Sequence, residues 1–187
     1  MVDQPTPRYF FKISVVGDKA VGKTALIDRY VNRKFEEDYI STMGVNITIK
    51  DITSDENYIQ LMLWDIGGSE KWMNVRNMFY KGTNGIILVY DVTRPATFLN
   101  VTHYLQDMEE TIQKKVPFIL IGNKVDLEDI RKITTKNAEE LMKTSNAVAY
   151  FETSAKTGDN VESAFQLIAE AVFNSLNPQG GEEKDFI

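Results

Sequence analysis

The 187-residue chain has no cysteine, a single histidine and no apolar run approaching the ~20 residues that cross a bilayer as a helix. The missing cysteines exclude disulfides and thiolate-held metals, and they exclude prenyl or palmitoyl attachment to the chain as given. His103 has no second imidazole to share a metal or a proton relay, which makes it a surface residue of its helix. The longest apolar stretches, Gly85 to Tyr90 and Val116 to Gly122, are of strand length. No block of lysine and arginine offsets a net charge of -6, which argues against nucleic acid as a partner. The start, Met1-Val2, is neither a myristoylation signal nor the beginning of a secretory leader. A soluble, cytoplasmic protein is expected, with membrane association only if indirect or if a native lipidated tail has been removed.

What is present suits one globular domain: 43% of residues are hydrophobic and 26% charged, enough for a substantial core. The expected division is a flexible lead over 1–8, a nucleotide-binding domain over 9–176 and an acidic flexible tail over 177–187 that carries Glu182, Glu183 and Asp185. Strand and helix patterns alternate. An apolar strand from Phe10 to Val16 is followed by a helical face of Leu26, Ile27, Tyr30 and Val31. Val45, Ile47 and Ile49 alternate with polar residues, as do Ile59, Leu61 and Leu63, so a hairpin turning over 53–57 is expected, its first strand at a sheet edge. Ile86 to Tyr90 and Phe118 to Ile121 are continuous apolar runs, as in parallel strands buried on both faces. Phe98, Val101, Leu105, Met108 and Ile112 predict an amphipathic helix. Further helices are expected from Thr134 to about Thr144 and over Val161 to Val172, with a strand over Ala149 to Thr153 between them. The fold class is α/β: a six-stranded, mostly parallel sheet with one antiparallel edge strand and helices on both faces, with ligands at the carboxyl ends of its strands.

Four motifs fall at those strand ends. Gly17-Asp18-Lys19-Ala20-Val21-Gly22-Lys23-Thr24 follows the first strand and opens a helix, the context of a phosphate-binding loop. Its backbone N–H groups and the helix dipole grip phosphate oxygens, and the cradle runs on to Ala25. Lys23 reaches the β- and γ-phosphates, and Thr24 offers a hydroxyl to Mg²⁺. Asp65 ends another strand and begins Asp-Ile-Gly-Gly, which puts a carboxylate near the magnesium and the N–H of Gly68 beside the γ-phosphate. Asn123-Lys124-Val125-Asp126 follows the fifth strand, and the Asp126 carboxylate can accept two hydrogen bonds from guanine where adenine has no donors. Leaving that carboxylate unpaired is costly enough for strong discrimination. Thr153-Ser154-Ala155-Lys156 ends the last strand, where a backbone N–H can meet guanine O6.

With these motifs in this order the chain resembles the small GTPases of the Ras superfamily over Phe10 to Leu176. It is most similar to the Rab branch in Tyr39-Ile40-Ser41-Thr42-Met43-Gly44-Val45, Leu88 to Thr93, Ile121 to Leu127 and Glu152 to Lys156. The resemblance implies the P-loop NTPase fold and a switch that binds GTP or GDP with Mg²⁺, hydrolyses GTP, and acts in signalling and vesicle traffic. It implies that Thr42 joins Thr24 and Asp65 at the metal and touches the γ-phosphate by its N–H, and that Tyr39 contacts the nucleotide. Phe35 is implied to pack on the guanine edge and Lys124 across its plane, with plain core packing as the lesser alternative for Phe35. Lys23, Thr42, Gly68 and the residue after Gly68 form the implied catalytic set. Effector, exchange and activating proteins are implied partners, with Ile47, Trp64 and Phe79 as the apolar reading surface; Trp64 and Phe79 fit the core as well. Such proteins work as monomers.

Ser69 departs from that pattern, since it stands where the family has a glutamine that orients the attacking water. A serine side chain is too short for that reach, so slow hydrolysis is expected. Lys19 occupies the third loop position, where a small residue is usual; its ammonium either neutralises charge there, blocks an incoming arginine, or is simply solvated. Besides a slow molecular switch, a module that holds GTP without turning it over and recruits partners remains open. A metabolic phosphoryl transferase fits less well, because no acceptor-binding lid is evident.

Overall fold

The computed structural model describes residues 9–36, 41–54, 57–69, 73–112 and 114–177. Its strands are β1 (Tyr9–Val16), β2 (Val45–Ser54), β3 (Asn57–Ile66), β4 (Gly85–Asp91), β5 (Phe118–Asn123) and β6 (Ala149–Thr153). They form one six-stranded sheet in the order β2-β3-β1-β4-β5-β6. β2 runs antiparallel to β3, with Ile47 opposite Trp64 and Ser54 opposite Asn57, while every other neighbouring pair is parallel. The expected antiparallel edge strand is therefore β2. Residues 55–56 of the expected turn lie outside the described residues, as do the lead and residues 178–187.

The helices are α1 (Lys23–Asn32), α2 (Met73–Tyr80), α3 (Pro95–Leu99), α4 (Val101–Thr111), α5 (Thr135–Ser145) and α6 (Val161–Leu176), with a 3-10 helix at Val125–Ile130. The helix expected over Phe98 to Ile112 begins earlier and is split. Pro95, whose fixed φ suits a first helical position, starts α3, and Asn100 separates it from α4. Asn100 keeps helical angles (φ -70°, ψ -12°), so the apolar stripe passes through the break undisturbed. Neither α2 nor the 3-10 helix is among the expected elements: Val75, Met78 and Phe79 of α2 do recur at helical spacing, but over little more than two turns, and the 3-10 stretch has no such period.

The sheet is buried from both sides. Ile87, Val89, Ile119 and Ile121 face a cluster with Leu26 and Ile27 of α1 and Phe165 and Ile168 of α6. Their strand neighbours Ile86, Leu88, Tyr90 and Leu120 face a second cluster with Val101, Tyr104, Met108 and Ala138. Side chains alternate across a strand, so burial on both faces requires the unbroken apolar runs seen in β4 and β5. At roughly 1.5–3 kcal/mol per fully buried aliphatic side chain, this packing fixes where the loops leave the sheet. The carboxyl ends of β1, β3, β4, β5 and β6 consequently lie along one edge.

Candidate nucleotide-binding site

The loop between β1 and α1 needs backbone shapes that side chains resist. Gly17 and Gly22 have φ of 140° and 101°. A Cβ on Gly22 would lie 2.2 Å from Nδ2 of Asn123, so the base-side motif touches the phosphate loop where only glycine fits. Lys23 is buried, and its Nζ donates to the carbonyls of Gly17 and Asp18, both at 2.8 Å, which holds the ammonium inside the crook of the loop. Gly68 approaches from β3: a Cβ there would be 2.3 Å from the carbonyl carbon of Asp18 and 2.5 Å from the nitrogen of Lys19. Lys19, Ala20, Gly22, Lys23, Thr24, Ala25, Thr42 and Gly68 line a cleft of about 60 Å³ together with Ser41, which the sequence had not singled out. Ser69 follows Gly68 and is not part of that lining.

The three candidate metal ligands meet. Thr24 Oγ1 donates to Asp65 Oδ2 at 2.5 Å, and Thr42 Oγ1 lies 2.9 Å from Thr24 Oγ1 and 3.3 Å from the same carboxylate oxygen. Asp65 is 1% exposed, and its Oδ1 has no hydrogen-bond partner among the described residues. Burial raises its pKa against the lowering effect of Thr24 and Lys23. A desolvated carboxylate with an orphan oxygen beside two hydroxyls is a hard-oxygen set that fits Mg²⁺.

On the base side Asn123 is a staple. Its Nδ2 donates to the Val21 carbonyl at 2.9 Å, and its Oδ1 accepts from Thr153 Oγ1 at 3.1 Å and from the Ala155 nitrogen at 3.2 Å. The phosphate loop and the last motif, far apart in sequence, are thereby joined through one side chain. Ser154 Oγ donates to Asp126 Oδ1 at 2.6 Å, which orients the candidate guanine-reading carboxylate. Lys124 has φ 73° and its Nζ pairs with Asp91 at 2.8 Å. From α1, Arg29 donates through Nε to the Ala155 carbonyl at 2.7 Å and through Nη2 to the carbonyl of the exposed Lys156. Phe35 is half-buried against the α1–α6 cluster, so the core contact foreseen for it exists. Tyr39 lies outside the described residues.

A model of the Ras family matches residues 12–174, nearly the whole described chain. The chain belongs to the Ras family of small GTPases. Among curated proteins, this GTPase is 41% identical to the Ras-related protein Rab-1 of Theileria annulata over 165 residues, which is 88% of this chain and 74% of that protein. It is 40% identical to Rab-1 of Theileria parva with the same coverage. It is 37% identical to Rab7 of Drosophila melanogaster over 163 residues, 85% of this chain and 78% of the relative. These likenesses set the GTPase near the Rab branch, in a family that binds guanine nucleotide and Mg²⁺. Its sheet and helices are those of the family's α/β fold.

Of the three apolar residues proposed to read partners, Ile47 is 47% exposed and sits across from Trp64. Trp64 is half-buried beneath the Lys12 ammonium, 3.7 Å from its ring centre, and Phe79 packs against the α4–α5 cluster. Among the described residues of the GTPase, no helix is long and apolar enough to cross a membrane.

Sequence reasoning missed several residues that shape the site. The Asp18 side chain does not enter the loop mouth but accepts from Asn100 Nδ2 at 2.8 Å and from the Tyr104 hydroxyl at 3.1 Å. Asp91, 1% exposed, holds Lys124, Arg94 and Thr93 together. Burial alone would raise its pKa, but the Lys124 ammonium and the Thr93 donors outweigh that and lower it. Asp91 ends β4 just as the four motifs end their strands, and that position was the signal available. Arg29 offered none, since nothing marks which arginine on an amphipathic helix will reach a neighbouring loop.

Proposed function

We propose that this GTPase is a Rab-type molecular switch that binds GTP and GDP with Mg²⁺, turns GTP over slowly, and presents its switch segments to effector and regulatory proteins in vesicle traffic. The observation that supports the reading is the Asn123 staple, whose bonds to Val21, Thr153 and Ala155 join the loop that carries Lys23 to the one that carries Ser154, which in turn holds Asp126. In this reading Gly17 to Ala25 cradle the phosphates, with Lys23 neutralising their charge. Thr24, Thr42 and Asp65 hold the Mg²⁺, which when bound shields the β- and γ-phosphate charge. Gly68 offers its backbone N–H to the γ-phosphate, and loss of that phosphate frees the segments carrying Thr42 and Gly68. Asp126 selects guanine, Ser154, Ala155 and Lys156 border its O6, and Phe35 and Lys124 flank the ring. Ile47, Trp64 and Phe79 are the surface for partners, and the protein acts as a cytoplasmic monomer.

Slow turnover follows from Ser69, which lacks the length to orient a water. Ser69→Gln is expected to raise the single-turnover rate of bound GTP by at least about ten-fold with Mg²⁺ present. Equal rates would remove Ser69 as the cause. A second reading is favoured by Ser69 together with the exposed Lys19: a module that holds GTP permanently. Identifying the nucleotide that co-purifies and following it for hours with Mg²⁺ separates the two, because the switch yields GDP and the module keeps GTP.

A further inference from the structure

Asp91 lies between two loops that the nucleotide reading assigns to opposite ends of one ligand. Its Oδ2 meets Lys124 Nζ at 2.8 Å and Arg94 Nε at 3.1 Å, while its Oδ1 accepts from the Thr93 nitrogen at 2.9 Å and the Thr93 hydroxyl at 2.7 Å. The buried carboxylate is thus satisfied on both oxygens and fixed in place. Arg94 extends the chain of contacts. Its Nη2 donates to the carbonyl of Lys19 at 2.9 Å, in the phosphate loop. Next to that carbonyl, Asn100 and Tyr104 hold the Asp18 side chain, so two successive loop residues are tied to the corner where α3 begins and α4 follows.

We propose that Arg94 is a positioning residue that sets the phosphate-loop backbone at Lys19 and, through Asp91, couples it to Lys124 on the purine side. Arg94 does not belong to the nucleotide contacts in this reading; it acts on the peptide between Lys19 and Ala20, whose single N–H the nucleotide reading counts among the phosphate donors. A guanidinium suits the task because one planar group reaches the carboxylate by Nε and the carbonyl by Nη2, whereas a lysine ammonium offers a single point of attachment. The Arg94 side chain is 42% exposed, so removing it leaves no buried cavity. The inference rests on the guanine-nucleotide reading above.

The test uses the full chain loaded with GDP and Mg²⁺, and compares the native protein with Arg94→Ala, Arg94→Lys and Asp91→Asn. Arg94→Ala is expected to release GDP about ten-fold faster, the loss of a charge-assisted hydrogen bond at the loop. Its affinity for guanosine, which has no phosphate, should match the native value. Arg94→Lys should fall between the two. Asp91→Asn should weaken both GDP and guanosine, because it loosens both loops. Release from Arg94→Ala at the native rate overturns the proposal, and so does an equal loss of GDP and guanosine binding, which would signal general loosening of the fold. A native protein that binds no GDP sinks the nucleotide reading instead, so the two failures are distinguishable.

Discussion

Gly22 shows how a single atom decides whether this site exists. It starts α1 in a left-handed conformation at φ 101°, and the space its missing side chain leaves is taken by the Asn123 amide. Gly22→Ala would meet both penalties, a strained backbone and a collision with the group that joins the two nucleotide loops. A loss of about 2 kcal/mol or more in unfolding free energy is expected, measured by denaturant titration, with nucleotide binding abolished. Retained GDP binding would mean that Asn123 can yield, and the staple would then be dispensable. Ala20 is the contrasting case: it holds φ 61° without glycine, at a cost the surrounding bonds of the loop must cover.

At the scale of elements, α5 is positioned by its own ends. Thr134 Oγ1 accepts from the Asn137 nitrogen and Asn137 Oδ1 accepts from the Thr134 nitrogen, both at 3.2 Å, a reciprocal cap on an exposed start. Thr134→Ala is expected to cost about 1 kcal/mol in thermal unfolding while leaving GDP affinity unchanged, since among the described residues the Thr134 side chain bonds only within the cap, to Asn137, and to neither loop. A shift in GDP affinity would show that α5 is coupled to the site. Thr134 also illustrates what could be read from the chain alone: threonine before a helical period marked this start within one residue. β4 and β5 were equally legible, because burial on both faces leaves an unbroken apolar run. The four motifs were legible because chemistry restricts each to a few residue types at a strand end. The 3-10 helix at Val125–Ile130 was not, since i to i+3 hydrogen bonds leave no lasting apolar period. Arg94, Asn100 and Tyr104 were hidden for another reason: each acts on the loop through a contact 75 or more residues away in sequence, and no local pattern announces such a pairing.

Across the whole molecule, two carboxylates connect the site to stability in acid. Asp91 and Glu152 both sit below their ordinary values of 3.8 and 4.5. For Glu152, burial pushes upward, but Arg131, Thr135 and Tyr150 donate to it and win. A carboxyl group that binds its proton less readily when folded stabilises the fold above the unfolded pKa, and that contribution is lost as pH falls through the folded value. Unfolding free energy of the GDP-bound protein should therefore be level with respect to these two groups from neutrality down to about pH 5, then fall steeply below about pH 4. Asp91→Asn and Glu152→Gln should each be less stable at neutral pH, and each should show a shallower acid decline, because the proton uptake they remove is part of the slope. Asp91→Asn should in addition speed nucleotide release at neutral pH, whereas Glu152→Gln, two strands further from the phosphate loop, should change stability with less effect on release. An acid profile that keeps its native slope in both variants would mean that other carboxylates drive acid unfolding, and that the Asp91 connection between the loops serves binding alone.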